Sequence, residues 1–390
     1  MTKLAEQVLA AVKTVVGQGP CALHEPVFIG NEERYLRECI NSASVATVGR
    51  FTEKFESQLT SYTGARYAVC TVSGTAALHI ALKVCDVQID DEVLIPALTF
   101  IATANAVIYC GAIPHIVDCE TRNLGVDVVR LRQYLSEISH QQGGTCINRT
   151  TGRRIKAIIP MHTFGHPVDI EGVMDLAEEF NLVVVEDAAE SLGSFFKGQH
   201  TGTFGTAGII SFNGNKTITT GGGGAILTND VSIATVARHL VTTAKVHHPY
   251  RYVHDQVGYN YRLPNLNAAL GCAQLESLPA ILAAKRELTE RFRGALSGVK
   301  GATLFLEPPD CQSNYWLQTL VLNDSAAFER DSILTQANEA GMGFRPPWES
   351  LDQVTYLGDA PRMPTMLIAE FARKLINIPS SPKLYFDSVK

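Results

Sequence analysis

Length, composition and charge exclude several classes of protein. The chain has 390 residues, of which 46% are hydrophobic and 18% charged, and its net charge is -6. A chain of this length and apolarity can bury a sizeable core, so wholesale disorder is excluded. An acidic balance without a basic tract argues against a nucleic-acid-binding protein. With 31 Gly and 17 Pro, the composition is typical of a compact enzyme with many turns.

The cysteines and the N-terminal pattern indicate a reducing compartment. The nine cysteines are odd in number and none has CxxC spacing, and the histidines lack metal-ligand spacing. We therefore expect neither a disulfide framework nor a metal. Leu4, Val8 and Val12 recur at helical spacing among charged residues, which predicts an amphipathic helix rather than a signal peptide. The apolar stretch 100–117 is too polar to cross a bilayer, so we expect a cytoplasmic protein without a membrane partner.

The middle of the chain alternates short apolar runs with helical patterns. In chain order, the predicted strands and helices are strand 67–71, helix 76–84, strand 92–95, helix 102–109, strands 113–117 and 155–159, helix 169–180 and strand 182–185. Nearly continuous apolar runs are typical of strands buried on both faces of a parallel sheet. The sequence therefore predicts a three-layer α/β domain.

The last third of the chain changes character. A long helical region, 264–296, is briefly interrupted at Pro279 and is followed by strands 303–306 and 314–322 and helix 326–340. We predict a large α/β domain over 51–264 and a small α+β domain over 265–390, with a helical segment, 1–50, packing across both.

Lys216 is the first candidate for chemistry. It ends the sequence SFNGNK at 211–216 and precedes the glycine run 221–224, where backbone can approach a ligand closely. A lysine buried in such a pocket can act as a Schiff-base nucleophile, because burial frees its amine. The alternative is an exposed loop lysine beside a flexible turn.

Asp187 is the second candidate. It falls just past a buried strand, where α/β folds place ligand-binding groups. A carboxylate there can hold the proton on a pyridinium nitrogen and keep a cofactor ring electron-poor. A helix N-cap is the alternative.

Two further turns follow predicted strands. Ser73, Gly74 and Thr75 open a predicted helix, and the backbone N–H groups of such a turn, with the two hydroxyls, can cradle a phosphate. Phe100 follows the next strand and can stack on a planar ring, although an aromatic residue here can equally belong to the core.

In this order the motifs resemble those of DegT/StrS-like nucleotide-sugar aminotransferases, which are fold-type I pyridoxal-phosphate enzymes. The segments that carry the resemblance are SGTAALH at 73–79, PALTF at 96–100, MHTFGHP at 161–167, EDAAES at 186–191, SFNGNK at 211–216 and GYNYR at 258–262. The resemblance covers nearly the whole chain and implies an aspartate-aminotransferase-like large domain.

The resemblance also implies the catalytic roles. Lys216 would carry pyridoxal 5'-phosphate on its amine, Asp187 would pair with the pyridine nitrogen, and Phe100 would cover the ring. Glu190 would lie beside the phenolic oxygen, where many members have Gln or His, so a carboxylate there must be protonated or satisfied by donors.

The phosphate-binding roles follow in the same way. Gly74, Thr75 and Ser211 would hold the phosphate, and Asn260 would reach it from a neighbouring subunit. The resemblance thus implies a homodimer with shared active sites.

Four more segments resemble the subgroup that aminates C4 of UDP-linked 4-keto-6-deoxy-N-acetylhexosamines, on routes to legionaminic acid or bacillosamine. They are HEP at 24–26, FIGNE at 28–32, RPPW at 345–348 and NIPSS at 377–381. L-Glutamate would be the amino donor, with pyridoxamine phosphate formed during turnover. His162, Arg345 and Trp348 are the candidate substrate residues, although a structural His162 and a surface ion pair of Arg345 are alternatives.

Other functions remain open on the sequence. A non-catalytic regulator can use the same fold, although it would not need Lys216, Asp187, Ser211 and Asn260 together. An aminotransferase for another keto position is a second alternative. The related sugar dehydratases have His in place of Lys216, which disfavours dehydration here.

Overall fold

The protein is described from a computed structural model covering residues 3–389. The helices are α1 (Lys3–Val16), α2 (Glu32–Asn41), α3 (Arg50–Thr63), α4 (Gly74–Val84), α5 (Ile101–Tyr109), α6 (Val128–Ile138), α7 (Ile170–Phe180), α8 (Val231–Val241), α9 (Asn265–Leu296), α10 (Arg330–Glu339), α11 (Met366–Ala372) and α12 (Lys383–Ser388).

The strands alternate with these helices along the chain. They are β1 (Tyr67–Thr71), β2 (Glu92–Pro96), β3 (Ile113–Val117), β4 (Ser139–Gln142), β5 (Thr145–Asn148), β6 (Ile155–Ile158), β7 (Val183–Asp187), β8 (Phe195–Phe196), β9 (Gln199–His200), β10 (Ala207–Ser211), β11 (Gly224–Thr228), β12 (Lys245–Val246), β13 (Val253–His254), β14 (Ala302–Leu304), β15 (Cys311–Gln312), β16 (Gln318–Leu322) and β17 (Leu375–Ile378).

The main sheet of the described residues has seven strands in the order β1-β11-β10-β7-β6-β2-β3. The five strands predicted for this region are confirmed, and they are joined by β10 and β11, which the sequence does not predict. Strand β11 runs antiparallel to both of its neighbours, while β10, β7, β6, β2 and β3 are parallel. The carboxyl ends of β7 and β10 therefore meet at one edge of the sheet.

Alternating side chains of these strands belong to clusters on opposite faces of the sheet, as the pleat requires. Ile209 lies in the cluster that includes the inner faces of α4, α5 and α8, and its neighbour Ile210 lies in the cluster formed with α3 and α9. In β7, Val185 belongs to the first cluster, whereas Val184 packs with α6 and α7. Helices thus cover both faces, and the predicted three-layer α/β fold is confirmed.

A smaller unit follows in the C-terminal third, where β14, β16 and β17 form an antiparallel sheet. Helix α1 packs into its core together with α10 and the end of α9. The segment after α1 runs along α9, where Gln274 Nε2 donates a hydrogen bond of 2.8 Å to the Val27 carbonyl. The N-terminal segment therefore contacts the small unit and the long helix, while the exact domain bounds stay a prediction.

Helix α9 is continuous over 32 residues with Pro279 inside it, so the predicted interruption is wrong. Among residues 3–389 it is the helix long and apolar enough to cross a membrane, but half of its most apolar window is buried. It packs against α1, α2 and α3. These contacts indicate that α9 is a core helix, which explains its apolar composition.

Candidate active site

Lys216 lies in the turn between β10 and β11, in a cavity of about 320 Å³ at the edge of the main sheet. Its side chain is 13% exposed, and its Nζ lies 3.0 Å from Glu190 Oε1. The same Nζ is 4.0 Å from the centre of the Trp316 ring. The amine is therefore held at the wall of a cavity, which removes the exposed-loop alternative.

Asp187 is the last residue of β7 and is buried against the same cavity. Its Oδ2 accepts a hydrogen bond of 2.8 Å from Thr103 Oγ1, and its Oδ1 accepts one of 3.2 Å from the Ala189 backbone N–H. Burial raises the pKa of Asp187, and the Thr103 hydrogen bond opposes that rise. The carboxyl group is fixed in orientation and caps no helix, because α8 is the next helix in the chain.

Glu190 follows β7 by three residues, lines the same cavity and is buried. Its Oε1 contacts Lys216 Nζ, and its Oε2 accepts a hydrogen bond of 3.0 Å from the Phe164 backbone N–H. Burial raises the pKa of Glu190 to about 7, although the nearby Lys216 charge favours the ionised form. Glu190 is therefore a carboxyl group that can hold or release a proton near neutral pH.

The turn that the sequence predicts to cradle a phosphate lies at the N-terminus of α4. Ser73 is extended and its Oγ accepts a hydrogen bond of 3.1 Å from the Ala76 N–H. A Cβ on Gly74 would lie only 2.9 Å from the Cβ of Ser211. Thr75, Gly222 and Gly223 line the same end of the cavity. Close backbone packing thus presents a helix N-terminus and hydroxyl groups to one point.

Aromatic residues form another side of the cavity. Phe100 precedes α5 and is 48% exposed, with its ring centre 6.2 Å from that of Trp348. Trp348 in turn lies 5.1 Å from the ring of Phe164. Phe100 therefore does not belong to the packed core and is free to cover a planar ligand.

The other predicted residues lie outside the cavity lining. His162 is fully buried: its Nε2 pairs with Glu186 Oε2 at 3.2 Å, and its Nδ1 accepts from the Val168 N–H. This geometry favours the structural alternative for His162.

Arg345 is exposed and donates to Asn338 Oδ1 and the Phe344 carbonyl. Asn260 is also exposed, beyond β13.

Comparison with known proteins identifies the family of this chain. A model of the DegT/DnrJ/EryC1/StrS aminotransferase family matches residues 28–390. The chain belongs to this family. It is 33% identical over 371 residues to a GDP-perosamine synthase of Vibrio cholerae, covering 94% of this chain and 96% of the relative.

Two more similarities extend the comparison. EpsN of Bacillus subtilis, which carries the provisional name of pyridoxal phosphate-dependent aminotransferase, is 35% identical over 332 residues, covering 84% of this chain and 81% of EpsN. The crystal structure of the aminotransferase TlmJ from Streptoalloteichus hindustanus matches with a TM-score of 0.83 and 25% identity, covering 93% of this chain and 94% of TlmJ. The protein is thus a sugar aminotransferase of the DegT family.

Pyridoxal phosphate fits the residues that this aminotransferase presents. The cofactor needs an amine, an acid facing its ring nitrogen and a cradle for its phosphate. Lys216, Asp187 and the N-terminus of α4 line one cavity and would supply these groups. Each Asp187 oxygen accepts one hydrogen bond from the protein, which leaves lone pairs for a ligand.

Two residues without a signal in the sequence also belong to this region: Trp316 lines the cavity, and Asn314 contacts Glu190. Asn314 Nδ2 donates to the Glu190 carbonyl at 2.8 Å and to Thr217 Oγ1 at 3.1 Å. Residues 314–317 were expected to start a strand, but β16 begins only at Gln318, because Tyr315 adopts a left-handed φ of 48°. The sequence NYW at 314–316 does not by itself indicate a site, because its contacts are with Glu190 and Asn215, which are distant in the chain.

Proposed function

We propose that this sugar aminotransferase transfers the amino group of L-glutamate to C4 of a nucleotide-linked 4-keto-6-deoxy sugar, using pyridoxal phosphate. The observation that carries the proposal is the Lys216 amine, 3.0 Å from Glu190 and in one cavity with Asp187 and a helix N-terminus. The cofactor supplies, when bound, a ring that stabilises negative charge at the α-carbon of the donor.

Lys216 is the proton carrier in this proposal. Its Nζ takes the proton from the α-carbon of glutamate and, in the second half of the reaction, returns a proton to C4 of the sugar. Glu190 holds that amine in reach of both atoms. Asp187 would hold the protonated ring nitrogen of the cofactor, and the hydrogen bond from Thr103 orients the carboxylate for that role.

The anionic ends of the ligands need local donors, since the chain is acidic overall. We assign the cofactor phosphate to Gly74, Thr75 and Ser211, at the α4 N-terminus. Trp348 lines the cavity beside the exposed Phe100 and is assigned to the sugar. Arg345, three residues before Trp348 and exposed, remains the candidate for an anionic substrate group.

Two nucleotide-sugar substrates are candidates. The motifs at 24–32, 345–348 and 377–381 favour a UDP-linked 4-keto-6-deoxy-N-acetylhexosamine. The names of the GDP-perosamine synthases, which are 33% identical to this chain, favour a GDP-linked sugar. Turnover of the UDP- and GDP-linked 4-keto-6-deoxy sugars with L-glutamate, compared as kcat/KM, decides between them.

A homodimer completes the site in this proposal. Asn260 is exposed and follows a segment whose side chains Tyr250, Tyr252 and Val257 are about four-fifths exposed (81%, 85% and 79%). Large apolar side chains grouped in this way are typical of a surface that another chain covers. Asn260 would then reach the cofactor phosphate of the partner subunit, within a cytoplasmic enzyme.

The half-reactions test the proposal. The purified protein loaded with pyridoxal phosphate is expected to absorb visible light, to lose that absorption with L-glutamate, and to regain it on addition of the keto sugar. A protein that binds the cofactor tightly but shows neither change would be a regulator on the same fold, and the enzymatic proposal would be wrong.

A further inference from the structure

Trp316 makes the second contact of the catalytic amine. Lys216 Nζ lies 4.0 Å from the centre of the Trp316 ring, in addition to its 3.0 Å contact with Glu190. An ammonium group over an indole face is attracted by the electron density of the ring, and the attraction increases where water is excluded. Trp316 is only 4% exposed, so water is largely excluded from its ring.

Trp316 is itself fixed at three points. Its indole N–H donates to the Asn215 carbonyl at 2.7 Å, and its backbone N–H donates to Asn314 Oδ1 at 2.8 Å. Its carbonyl accepts a hydrogen bond of 3.1 Å from Lys285 Nζ. Because Asn215 directly precedes Lys216, the indole is tied to the same turn that carries the amine.

Lys285 anchors the ring from the side away from the cavity. This lysine of α9 is fully buried, and its Nζ also donates to the Ser380 carbonyl at 2.8 Å and to His24 Nε2 at 3.2 Å. Burial lowers the pKa of Lys285 to about 7 and that of His24 well below its usual range. The N-terminal segment, α9 and the C-terminal segment thus converge behind Trp316.

The backbone beside Trp316 is strained, which indicates that its placement is enforced. Tyr315 has a φ of 48°, in the left-handed region that side chains other than glycine and asparagine rarely adopt. Such strain persists only when surrounding contacts determine the conformation. The contacts of Asn314 and Lys285 on either side of Tyr315 do so.

We propose that Trp316 is a positioning residue that holds the ammonium group of Lys216 against its indole face whenever this amine is not bonded to the cofactor. The amine then stays beside the reacting carbon, with Glu190 as its second partner. The catalytic consequence rests on the proposed function, whereas the contact itself is testable in the cofactor-free protein. A purely structural Trp316 would fill space without responding to the charge of Lys216.

Tryptophan fluorescence tests the contact directly, because Trp316 and Trp348 are the two tryptophans of the chain. In cofactor-free Trp348→Phe, Trp316 is the single reporter. The titratable groups around this contact include Lys216, Glu190 and Asp187 on the cavity side. Lys285 contacts the Trp316 carbonyl, and the His24 ring centre lies 6.4 Å from that of the indole. We expect the pH profile of its emission to contain a component that is missing in Trp348→Phe/Lys216→Met. Emission that changes identically in both proteins would overturn the proposal.

Rapid kinetics test the consequence in the loaded enzyme. Trp316→Leu removes the ring, and its rate for the glutamate half-reaction should fall about ten-fold or more, with an unchanged KM for glutamate and unchanged cofactor affinity. Trp316→Phe keeps a ring face and should restore part of the rate. An unchanged rate in Trp316→Leu, or a loss confined to cofactor affinity, would overturn the proposal. If wild type shows no half-reaction, the proposed function fails while the fluorescence titration still tests the contact.

Discussion

Glu190 brings an ionisable carboxyl group to a point that solvent does not reach. It is 2% exposed, and its two oxygens contact the Lys216 amine and the Phe164 N–H. The sequence identifies Glu190 as a site residue. It also predicts that a carboxylate at this position must be protonated or accept hydrogen bonds. The structure supplies the donors, which come from residues 26 positions away in either direction.

The raised pKa of Glu190 predicts a pH dependence of stability. Between its usual pKa of 4.5 and about 7, the folded chain keeps a proton that the unfolded chain has lost. The folded state then binds more protons, so stability falls as the pH rises through this window. The span from 4.5 to about 7 corresponds to about 3 kcal/mol. The substitution Glu190→Gln should remove this pH-dependent loss of folding stability.

Thermal melts of the cofactor-free protein check this prediction. The Tm of Glu190→Gln minus that of wild type should become more positive from about pH 5 to about pH 8. Glu339→Gln, at an exposed position at the end of α10, is the matched control and should show no such trend. A Glu190→Gln difference that is independent of pH would contradict the assigned environment of Glu190.

The site depends on how closely helix α4 approaches strand β10. Ser73 ends the turn after β1 and caps α4, and the missing side chain of Gly74 lets the backbone meet Ser211. The sequence predicts this strand–turn–helix unit because each of its signals is local. It does not predict β11, since a run of four glycines is typical of a loop, and only pairing with β1 and β10 makes Gly224–Thr228 a strand.

Gly74→Ala tests the close approach of α4 and β10. A Cβ there lies 2.9 Å from the Cβ of Ser211, so the cradle must widen. Overpacking of this kind typically costs 1–3 kcal/mol, so the Kd for pyridoxal phosphate should rise about ten-fold or more. Gly294 lies at an exposed position of α9 and has no heavy atom within 4 Å of an added Cβ, so Gly294→Ala should leave that Kd unchanged. Equal Kd values for the two variants, measured by absorbance titration, would contradict the proposal that the N-terminus of α4 binds the cofactor phosphate.

In the molecule as a whole, sequentially distant segments build the surroundings of Lys216. Trp316 is 100 positions away along the chain, and His24 and Ser380, which contact Lys285 behind it, come from opposite ends. Motifs reveal the groups that bear chemistry, because Gly74, Asp187 and Lys216 each lie in a short local sequence at or after the carboxyl end of a strand. The supporting contacts have no local signature, since they arise only when the small unit packs onto the sheet.

Complementation between inactive subunits tests whether sites are shared across a homodimer. Lys216→Ala and Asn260→Ala should each be inactive or strongly impaired. If Asn260 serves the partner's site, each mixed dimer has one site with both residues intact. Equal co-expression makes half of the dimers mixed, so activity should return to about one quarter of wild type. If each subunit uses its own Asn260, no activity returns and the shared site is refuted.

The central claim is that Lys216 moves protons in the transfer of an amino group from glutamate to a nucleotide keto sugar. Mass spectrometry of the sugar product, after incubation with L-glutamate labelled with heavy nitrogen, tests it most directly. Wild type should form an amino sugar carrying the label, and Lys216→Ala should form it more than about 100-fold more slowly. An unlabelled product, or the same rate of labelling by Lys216→Ala, would contradict the account.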